Sequence, residues 1–440
     1  MLFNVYDFSA RGDGLADDAP FIQNAIDACF EGGGGRVLLP HGTFLAGHIQ
    51  LKSNVELHIA HGVVLKTYPD KARLAPAFLD VPNAEYTLGF IWAHNAENVA
   101  VTGSGTIDGN GDAFVDLRLC ENGEEYLIGS ASPRPVTVIF DNCKHSTFRD
   151  FTIKDGSFWT LHCVGCDDVS IHDIRILGDM KMANNDGIDI DHCRNVRISG
   201  CHIQTADDAI CLKNSQFAQG MGDCENITVT NCTLRSTSSA IKLGTGSFGV
   251  FRNITVTNCA IFASNRGISV QIRDCGGVEN LLISDCTVQT RRHHPDWWGQ
   301  AEPIYITTIN RTEDMVSGHI RNVIMKNIAC TGENGILICS EEPGKITDVM
   351  MESVCLDLRK TTDWPPGRYD LRPSYIHLAP STVEEPGAVT VCGASRVRIR
   401  GLNITADEAL RPYHKKPLAC YNAEDIIAED VYYPAGGNDA

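Results

Sequence analysis

The 440-residue sequence has few of the features that mark membrane, exported and nucleic-acid-binding proteins. It has no run of about 18 apolar residues, so it offers no membrane-spanning helix. Its first residues, MLFNVYDFSARGDG, contain neither a basic segment nor an apolar core, and we expect no signal peptide. The sequence has 37 lysines and arginines but 55 aspartates and glutamates. The resulting net charge of −18 argues against nucleic acid or an anionic membrane as partner.

The 18 cysteines lack the paired CxxC spacing of metal sites, and CVGC at 163–166 is the nearest approach to it. Because we expect no export signal, we predict reduced thiols and a cytoplasmic protein. Cysteines at strand or turn positions are interpreted as small core residues: Cys193, Cys201, Cys211, Cys232, Cys259, Cys275 and Cys286.

Helical periodicity is scarce, and a short repeat takes its place. CENITVTNC at 224–232 recurs as FRNITVTNC at 251–259, and weaker copies such as RNVRISGCHI (194–203) and ENLLISDCTV (279–288) surround them. Each copy has an Asn or Asp, alternating apolar residues, a turn and a second alternating run. Such a unit cannot bury its apolar face alone, so neighbours must stack. The pattern predicts an all-β fold, a single-stranded right-handed parallel β-helix with one repeat per coil.

We predict one β-helix domain over residues 1–440, which includes an N-terminal capping helix at 17–30. Asp17 or Asp18 is the expected N-cap, and EGGGG ends the helix. Its apolar face is formed by Ile22, Ala25, Ile26 and Cys29. Residues 109–135 and 289–318 interrupt the coil rhythm and are predicted to be loop excursions over a cleft.

Acidic residues recur one coil apart. TADDAICLKN (205–214) carries Asp207 and Asp208 before an apolar run, and NNDGIDIDHC (184–193) carries Asp186, which precedes them by 21 and 22 residues. Stacked coils lie about 4.8 Å apart, so we expect the three carboxylates to converge. Solvated turns are the alternative interpretation, and Asp189 and Asp191 fit that class.

Carboxylates this close cannot all ionise with ordinary pKa values. Glycoside hydrolysis needs such a set, because one carboxylic acid protonates the leaving oxygen while a carboxylate activates water. A calcium site is the competing use of clustered carboxylates.

The chain resembles glycoside hydrolase family 28, the polygalacturonase family of the pectin-lyase-like β-helices. NVYDFSARGDGLADDAPFIQNAIDAC and LKSNVELHIAHGVVL resemble its N-terminal portion, NNDGIDI resembles its Asn-Thr-Asp motif with Asn185 in place of Thr, and ADDAICLK resembles its Asp-Asp motif. The resemblance implies that Asp207 is the general acid, that Asp186 and Asp208 activate water with inversion, and that no metal or other cofactor is required.

Two basic motifs of the family are missing. Ser239 stands where a His is expected, and Ser269 and Gln271 stand where an Arg and a Lys are expected. In polygalacturonases these groups hold the uronic carboxylate, so the substrate is less constrained than the reaction.

Other side chains are candidates for substrate binding. The basic candidates follow the acids by up to about two coils and are Lys213, Lys242, Arg266 and Arg273. The second excursion contributes Trp297, Trp298 and Glu302. His162 lies in WTLHC, one coil before NNDG. Structural roles are the alternative for each.

These observations favour an exo-acting, inverting, metal-independent glycosidase whose partner is an oligosaccharide, with pectin-derived fragments as the first expectation. A polysaccharide lyase or epimerase on the same scaffold is one alternative, with Lys242 or a nearby arginine as base. A non-catalytic glycan-binding β-helix is another.

Overall fold

The computed structural model describes residues 1–76, 88–115, 133–293, 297–373, 383 and 385–434. The chain divides into two compact units. The first is Met1–Asp207 with Phe217–Gly222, and the second is Asp208–Gln216 with Asp223–Ala440. The single domain over 1–440 stays a prediction.

The first unit is built from short strands joined by tight turns. Its strands are β1 (Leu2–Asn4), β2 (Asp13–Asp17), β3 (Gly35–Leu39), β4 (Thr43–Ala46), β5 (Ile49–Leu51), β6 (Val55–Ile59), β7 (Val64–Thr67), β8 (Ala75–Pro76), β9 (Leu88–His94), β10 (Ala100–Thr102), β11 (Thr106–Asp108), β12 (Val136–Asp141), β13 (Lys144–Arg149), β14 (Thr152–Lys154), β15 (Leu161–Val164), β16 (Asp167–His172), β17 (Arg175–Leu177), β18 (Ile188–Asp191), β19 (Arg194–Ser199) and β20 (His202–Thr205).

All of these strands except β8, which pairs antiparallel with β9, form three parallel ladders. One, the front ladder of the first unit, runs β5, β9, β12, β15, β18. The second runs β1, β3, β6, β10, β13, β16, β19, and the third runs β2, β4, β7, β11, β14, β17, β20. The chain visits each ladder in turn, so one strand of each makes a coil.

The second unit repeats this plan with longer strands. They are β21 (Ile210–Asn214), β22 (Cys224–Thr230), β23 (Thr233–Ser236), β24 (Ser239–Ser247), β25 (Val250–Thr257), β26 (Ala260–Ser264), β27 (Arg266–Ile272), β28 (Gly277–Ser284), β29 (Thr287–Thr290), β30 (Ile304–Thr308), β31 (His319–Gly332), β32 (Ile336–Ser340), β33 (Ile346–Leu358), β34 (Val389–Cys392), β35 (Ala394–Ala406), β36 (Leu418–Tyr421) and β37 (Glu424–Tyr432). Its front ladder runs β21, β24, β27, β30, β32, β34, β36.

Aliphatic and cysteine side chains stack inside the coils. Ile254 pairs with Leu281 and Val256 with Ile283 in parallel register, and all four are buried. Burying one such side chain contributes about 1.5–3 kcal/mol. The expected internal ladders are therefore present in an all-β parallel coil, and the predicted fold class is confirmed.

The asparagine that opens each repeat has a backbone role. Asn226, Asn253 and Asn280 have φ of 58°, 57° and 61°. Asn tolerates this left-handed conformation better than most residues. Their amides also stack: Asn253 donates to Asn226 at 3.0 Å, and Asn280 donates to Asn253 at 3.0 Å. The repeated Asn thus turns the chain and links successive coils.

The predicted capping helix is α1 (Ala19–Glu31). Asp17, rather than Asp18, accepts the first free backbone N–H, that of Ala19, at 3.1 Å. Asp18 instead accepts from the backbone of residues 11 and 12. The predicted apolar face is buried and packs against β1, β3 and β5. The helix therefore covers the first strands of its unit, as expected.

The excursions are described only in part. In 109–135 the structure shows a 3-10 turn at Gly111–Phe114, and residues 116–132 lie outside the described residues. In 289–318 it places β30, which belongs to the front ladder, and residues 294–296 lie outside the description. Among the described residues, no helix is long and apolar enough to cross a membrane.

The described cysteines are free thiols. Six of the seven predicted as core residues are buried, whereas Cys275 is exposed because it follows β27 in a turn.

Candidate active site

In the first unit, Asn185 holds the two acid-bearing turns together. Its side-chain oxygen accepts hydrogen bonds from the backbone N–H of Ala206 at 2.9 Å and of Asp207 at 3.1 Å. Its Nδ2 donates to the carbonyl of Asp179 at 2.8 Å. Because Asp186 follows Asn185 directly, this side chain fixes the spacing of Asp186 and Asp207.

The carboxylates of Asp186 and Asp207 approach one another closely. One oxygen of each lies within 4.8 Å of the other, and the residues are only 3% and 6% exposed. Two nearly buried acids at this distance form a pair that can hold and exchange a proton with a bound group.

Asp208 begins the second unit and is held as an anion. Its carboxylate accepts from Lys242 Nζ at 2.7 Å, from Ser238 Oγ at 2.9 Å and from the backbone N–H of Ser239 at 3.2 Å. Burial acts to raise the pKa of Asp208, but the charges of Lys242 and Lys213 outweigh it, and the pKa is lowered. Asp208 therefore stays ionised at neutral pH.

The two predicted lysines occupy different environments. Lys242 points outward from β24, and its side chain is 14% exposed. Lys213 is buried, and its Nζ lies 3.1 Å from Cys211 Sγ. Both cations are close enough to lower the pKa of Asp208, so they belong to its immediate electrostatic environment.

Hydroxyl and amide groups occupy the positions of the missing basic motifs. Ser269 Oγ donates to Ser239 Oγ at 2.9 Å, and Gln271 Nε2 donates to Ser269 Oγ at 3.3 Å. Ser269 is the register partner of Lys242 on the next strand. The sequence shows neutral residues at these positions, and in the structure their side chains hydrogen-bond to one another in a short chain.

Arg266 and Glu302, both predicted to bind substrate, form a buried ion pair. Arg266 Nε lies 3.2 Å from Glu302, and its NH2 donates to the carbonyl of Asp370 at 3.0 Å. Arg266 also lies over the Tyr305 ring at 3.9 Å. Burial acts to lower the pKa of Arg266, but the charge of Glu302 and its neighbours outweighs it, and the pKa is raised.

This ion pair anchors a segment that we name the covering loop, residues 363–373. Tyr305 continues the outward row of Lys242 and Ser269, yet it is 0% exposed because its hydroxyl donates to the Asp370 carbonyl at 2.6 Å. The covering loop therefore closes the outer side of β30.

Trp297 and Trp298 are half-buried beside the same loop. Arg372 donates to the carbonyl of Trp297 at 2.7 Å, and its guanidinium lies 4.8 Å from the Trp298 ring centre. Arg372 also pairs with Asp370 at 2.7 Å. The Trp298 indole and the Trp297 backbone thus contact the covering loop.

The last two predicted residues are enclosed. Arg273 is 0% exposed and donates to Thr307 Oγ1 at 2.9 Å, and burial lowers its pKa. In the first unit, His162 is 1% exposed and meets the Trp159 ring edge-on at 4.9 Å. Its Nε2 lies 3.7 Å from Asp191.

Several residues that contribute to these sites are not predicted by the sequence. Asn185 departs from a family motif, but nothing in the sequence indicates that it bridges two turns. Ser238 belongs to no motif, and Asp370 lies 104 residues from Arg266 along the chain. Pairings of that length leave no local pattern in a sequence.

Comparisons with known proteins also indicate a glycoside hydrolase. The family model described as glycosyl hydrolases family 28 matches residues 29–363. A polygalacturonase of Gossypium barbadense is 26% identical over 268 residues, which are 55% of this chain and 61% of that protein. An exopolygalacturonase of Platanus acerifolia is 26% identical over 234 residues, 52% of this chain and 56% of the relative. The chain thus spans 61% and 56% of these relatives, which is less than two thirds of their length.

Solved structures share the fold. The hyperthermoactive exopolygalacturonase of Thermotoga maritima has a TM-score of 0.67 and 25% identity, covering 81% of this chain and 87% of its own. The family 28 exopolygalacturonase of Yersinia enterocolitica has a TM-score of 0.67 and 16% identity, covering 97% and 78%. The second likeness concerns the fold alone. Together they confirm the right-handed parallel β-helix.

Proposed function

This chain belongs to family 28 of the glycosyl hydrolases, and we propose that it hydrolyses an O-glycosidic bond of a pectin-related oligosaccharide. The observation that supports this most strongly is the close pair of Asp186 and Asp207, held by Asn185. Asp208, the residue next to Asp207, is an anion. The chain therefore supplies both an acid pair and an ionised carboxylate.

In the proposed mechanism, Asp207 donates a proton to the leaving glycosidic oxygen. Asp186 and Asp208 accept hydrogen bonds from the attacking water and take its proton as the new bond forms. Lys242 keeps Asp208 ionised and ready to accept that proton. No step requires a metal.

We propose inversion at the anomeric carbon, on the basis of the family resemblance. Inverting enzymes generally separate their carboxyl groups by roughly 6.5–9.5 Å, whereas oxygens of Asp186 and Asp207 come within 4.8 Å. NMR of the first-formed product should show the anomer opposite to the substrate, and retention would contradict this part of the mechanism.

Exo action is proposed from the covering loop. Because Tyr305 and Asp370 are 0% and 1% exposed, the outer side of β30 has no room for a sugar. A chain lying along this front ladder would end at that point. Digests of a defined oligosaccharide should release one small product from the start. A series of intermediate-length products would contradict exo action.

The substrate class is open to a uronic acid or a neutral sugar. The neutral side chains at 239, 269 and 271 remove the usual uronate contacts, while Lys242 provides one partly exposed cation. A panel of galacturonic and neutral oligosaccharides, read by released reducing sugar, distinguishes them.

The decisive test replaces Asp207 by Asn. We expect hydrolysis to fall by about 10²–10⁴-fold while sugar binding persists. Asp425→Asn is the matched control, because Asp425 is exposed and has a φ of 52° that Asn also tolerates. Absorbance of unsaturated products is followed in parallel, and its appearance would indicate a lyase instead. Full turnover by the Asp207 variant would remove the acid assignment.

A cytoplasmic location is proposed from the sequence alone. Fractionation of the native cells checks it, and recovery of the protein outside the cytoplasm would contradict it.

A further inference from the structure

Two cysteines of the second unit lie on its front ladder beyond β30. Cys339 is on β32 and Cys392 on β34, and they are direct partners in the parallel register. Both pack in one apolar cluster with Tyr305, Leu337 and Tyr369. None of the proposed catalytic steps uses them.

The backbone spacing of these register partners permits a disulfide. Adjacent parallel strands lie about 4.8 Å apart, and disulfides join Cα atoms separated by roughly 4.4–6.8 Å. As register partners on neighbouring parallel strands, the two side chains leave the same face of the sheet. The side chains therefore already face one another.

Their environment separates the two thiols into different roles. The hydrogen bond from Cys392, helped by the charge of Arg273, lowers the pKa of Cys339 against the effect of burial. The same hydrogen bond, with burial, raises the pKa of Cys392. Because the thiolate is the reactive form, Cys339 is the nucleophile of the pair.

A pocket gives access to Cys339. It has a volume of about 460 Å³, and Arg311, Glu341, Leu371 and Arg372 also line it. Three residues of the covering loop, Leu371, Arg372 and Pro373, thus form part of its wall. A small polar reagent fits this space.

Other cysteines on adjacent coils lack this combination. Cys232, Cys259 and Cys286 succeed one another in the core of the same unit at 1%, 3% and 2% exposure. The pKa of Cys259 is raised to about 12, chiefly by its hydrogen bond with Cys232. Close spacing alone therefore does not make a reactive pair.

We propose that Cys339 and Cys392 form an oxidisable dithiol that reacts with a small-molecule disulfide. The Cys339 thiolate attacks one sulfur of the reagent, its S–S bond breaks, and one thiol leaves. The Cys392 thiolate then attacks the Cys339 sulfur of this mixed disulfide and releases the second thiol. The cysteines lose two electrons and two protons, and the reagent becomes two thiols.

The new bond would join β32 to β34 and close the chain segment 340–391. That segment contains the covering loop, so oxidation would constrain the element that closes the outer side of β30.

The test exposes the full-length protein to oxidised glutathione, followed by peptide mapping without reduction. We expect a peptide pair linked through Cys339 and Cys392. Cys392→Ser should instead retain one glutathione on Cys339, because the second step is lost. Cys339→Ser should give no cross-link, because the thiol that attacks the reagent is removed.

Cys259→Ser is the control in the core ladder and should leave the cross-link intact. The wild-type map needs no variant to fold, so it decides the matter alone. The proposal fails if Cys339 and Cys392 stay free while the exposed Cys275 and Cys355 are modified, or if wild-type protein keeps a glutathione on Cys339 without transfer to Cys392.

Discussion

Two buried charge clusters of the second unit differ in what they leave open. Asp208 and Lys242 form one, and the lysine side chain keeps 14% exposure. Arg266, Glu302 and Asp370 form the other, at 3% exposure or less. In the first cluster a partly exposed cation holds a carboxylate ionised, whereas in the second each charge is enclosed by protein.

The difference teaches that proximity to a predicted cleft does not assign a role. A buried ion pair whose charges are all paired within the protein serves as an anchor. Removing one partner lowers the free energy of unfolding, because the other charge is left buried and unpaired. A pair with an open side can act on a substrate. Replacing members of each cluster should therefore affect different quantities, activity in one and stability in the other.

The largest expected effect is on activity when Asp208 is replaced by Asn. The neutral amide cannot take a proton from water, so kcat should fall by about 10³-fold. Thermal unfolding followed by circular dichroism checks that the coil remains folded. Asp425→Asn should change kcat by less than about twofold. A kcat within tenfold of wild type would exclude Asp208 from the reaction.

The next effect is on stability when Arg266 is replaced by Met. Glu302 and Asp370 lose a buried cation, and we expect a loss of about 3–5 kcal/mol. Chemical unfolding measures it. Arg396, which is 54% exposed in a surface pair with Asp348, offers the control, and Arg396→Met should leave the unfolding midpoint close to that of the wild type. Raised KM with unchanged stability would instead make Arg266 a substrate-binding residue.

Lys242→Met should have an intermediate effect that depends on pH. In the wild type the pKa of Asp208 is lowered, so the stability from its ionised form is complete above the unfolded pKa of about 3.9 and is lost as pH falls through the folded pKa.

Removing the cation raises the pKa of Asp208. The acid limb of the kcat profile should then move to higher pH, with a loss of about 10- to 100-fold at low pH. Lys326→Met, in a surface pair with Glu352, should leave the profile in place. An unmoved limb in the Lys242 variant would mean that Lys242 does not control Asp208.

The smallest effect is expected for Trp298→Ala. Its contact with Arg372 contributes about 1 kcal/mol, so the thermal midpoint should fall slightly while KM stays constant. Trp92→Ala, in the first unit, serves as a comparison for aromatic removal elsewhere. A KM increased more than about fivefold, or about 1 kcal/mol of binding, would show that the indole stacks on the sugar, as the sequence suggested.

Local patterns predicted the parts of this molecule that depend on neighbouring residues. Alternating Val and Ile predicted strands, the Asn at the head of each repeat marked a turn, and Ile22, Ala25 and Ile26 gave the buried helix face. The one-coil offset between Asp186 and Asp207 predicted their closeness, because stacking converts a sequence period into a distance.

The tertiary structure decided the roles of the remaining charged residues. Arg266 meets Asp370 across 104 residues, and Lys242 reaches Asp208 across 34. Nothing in the local sequence distinguishes an enclosed arginine from an open lysine. By itself the sequence determined the coil, its capping helix and the spacing of its acids, since these follow from periodicity. Which cations face a ligand and which hold a loop depends on long-range packing, and only the folded chain brings those partners together.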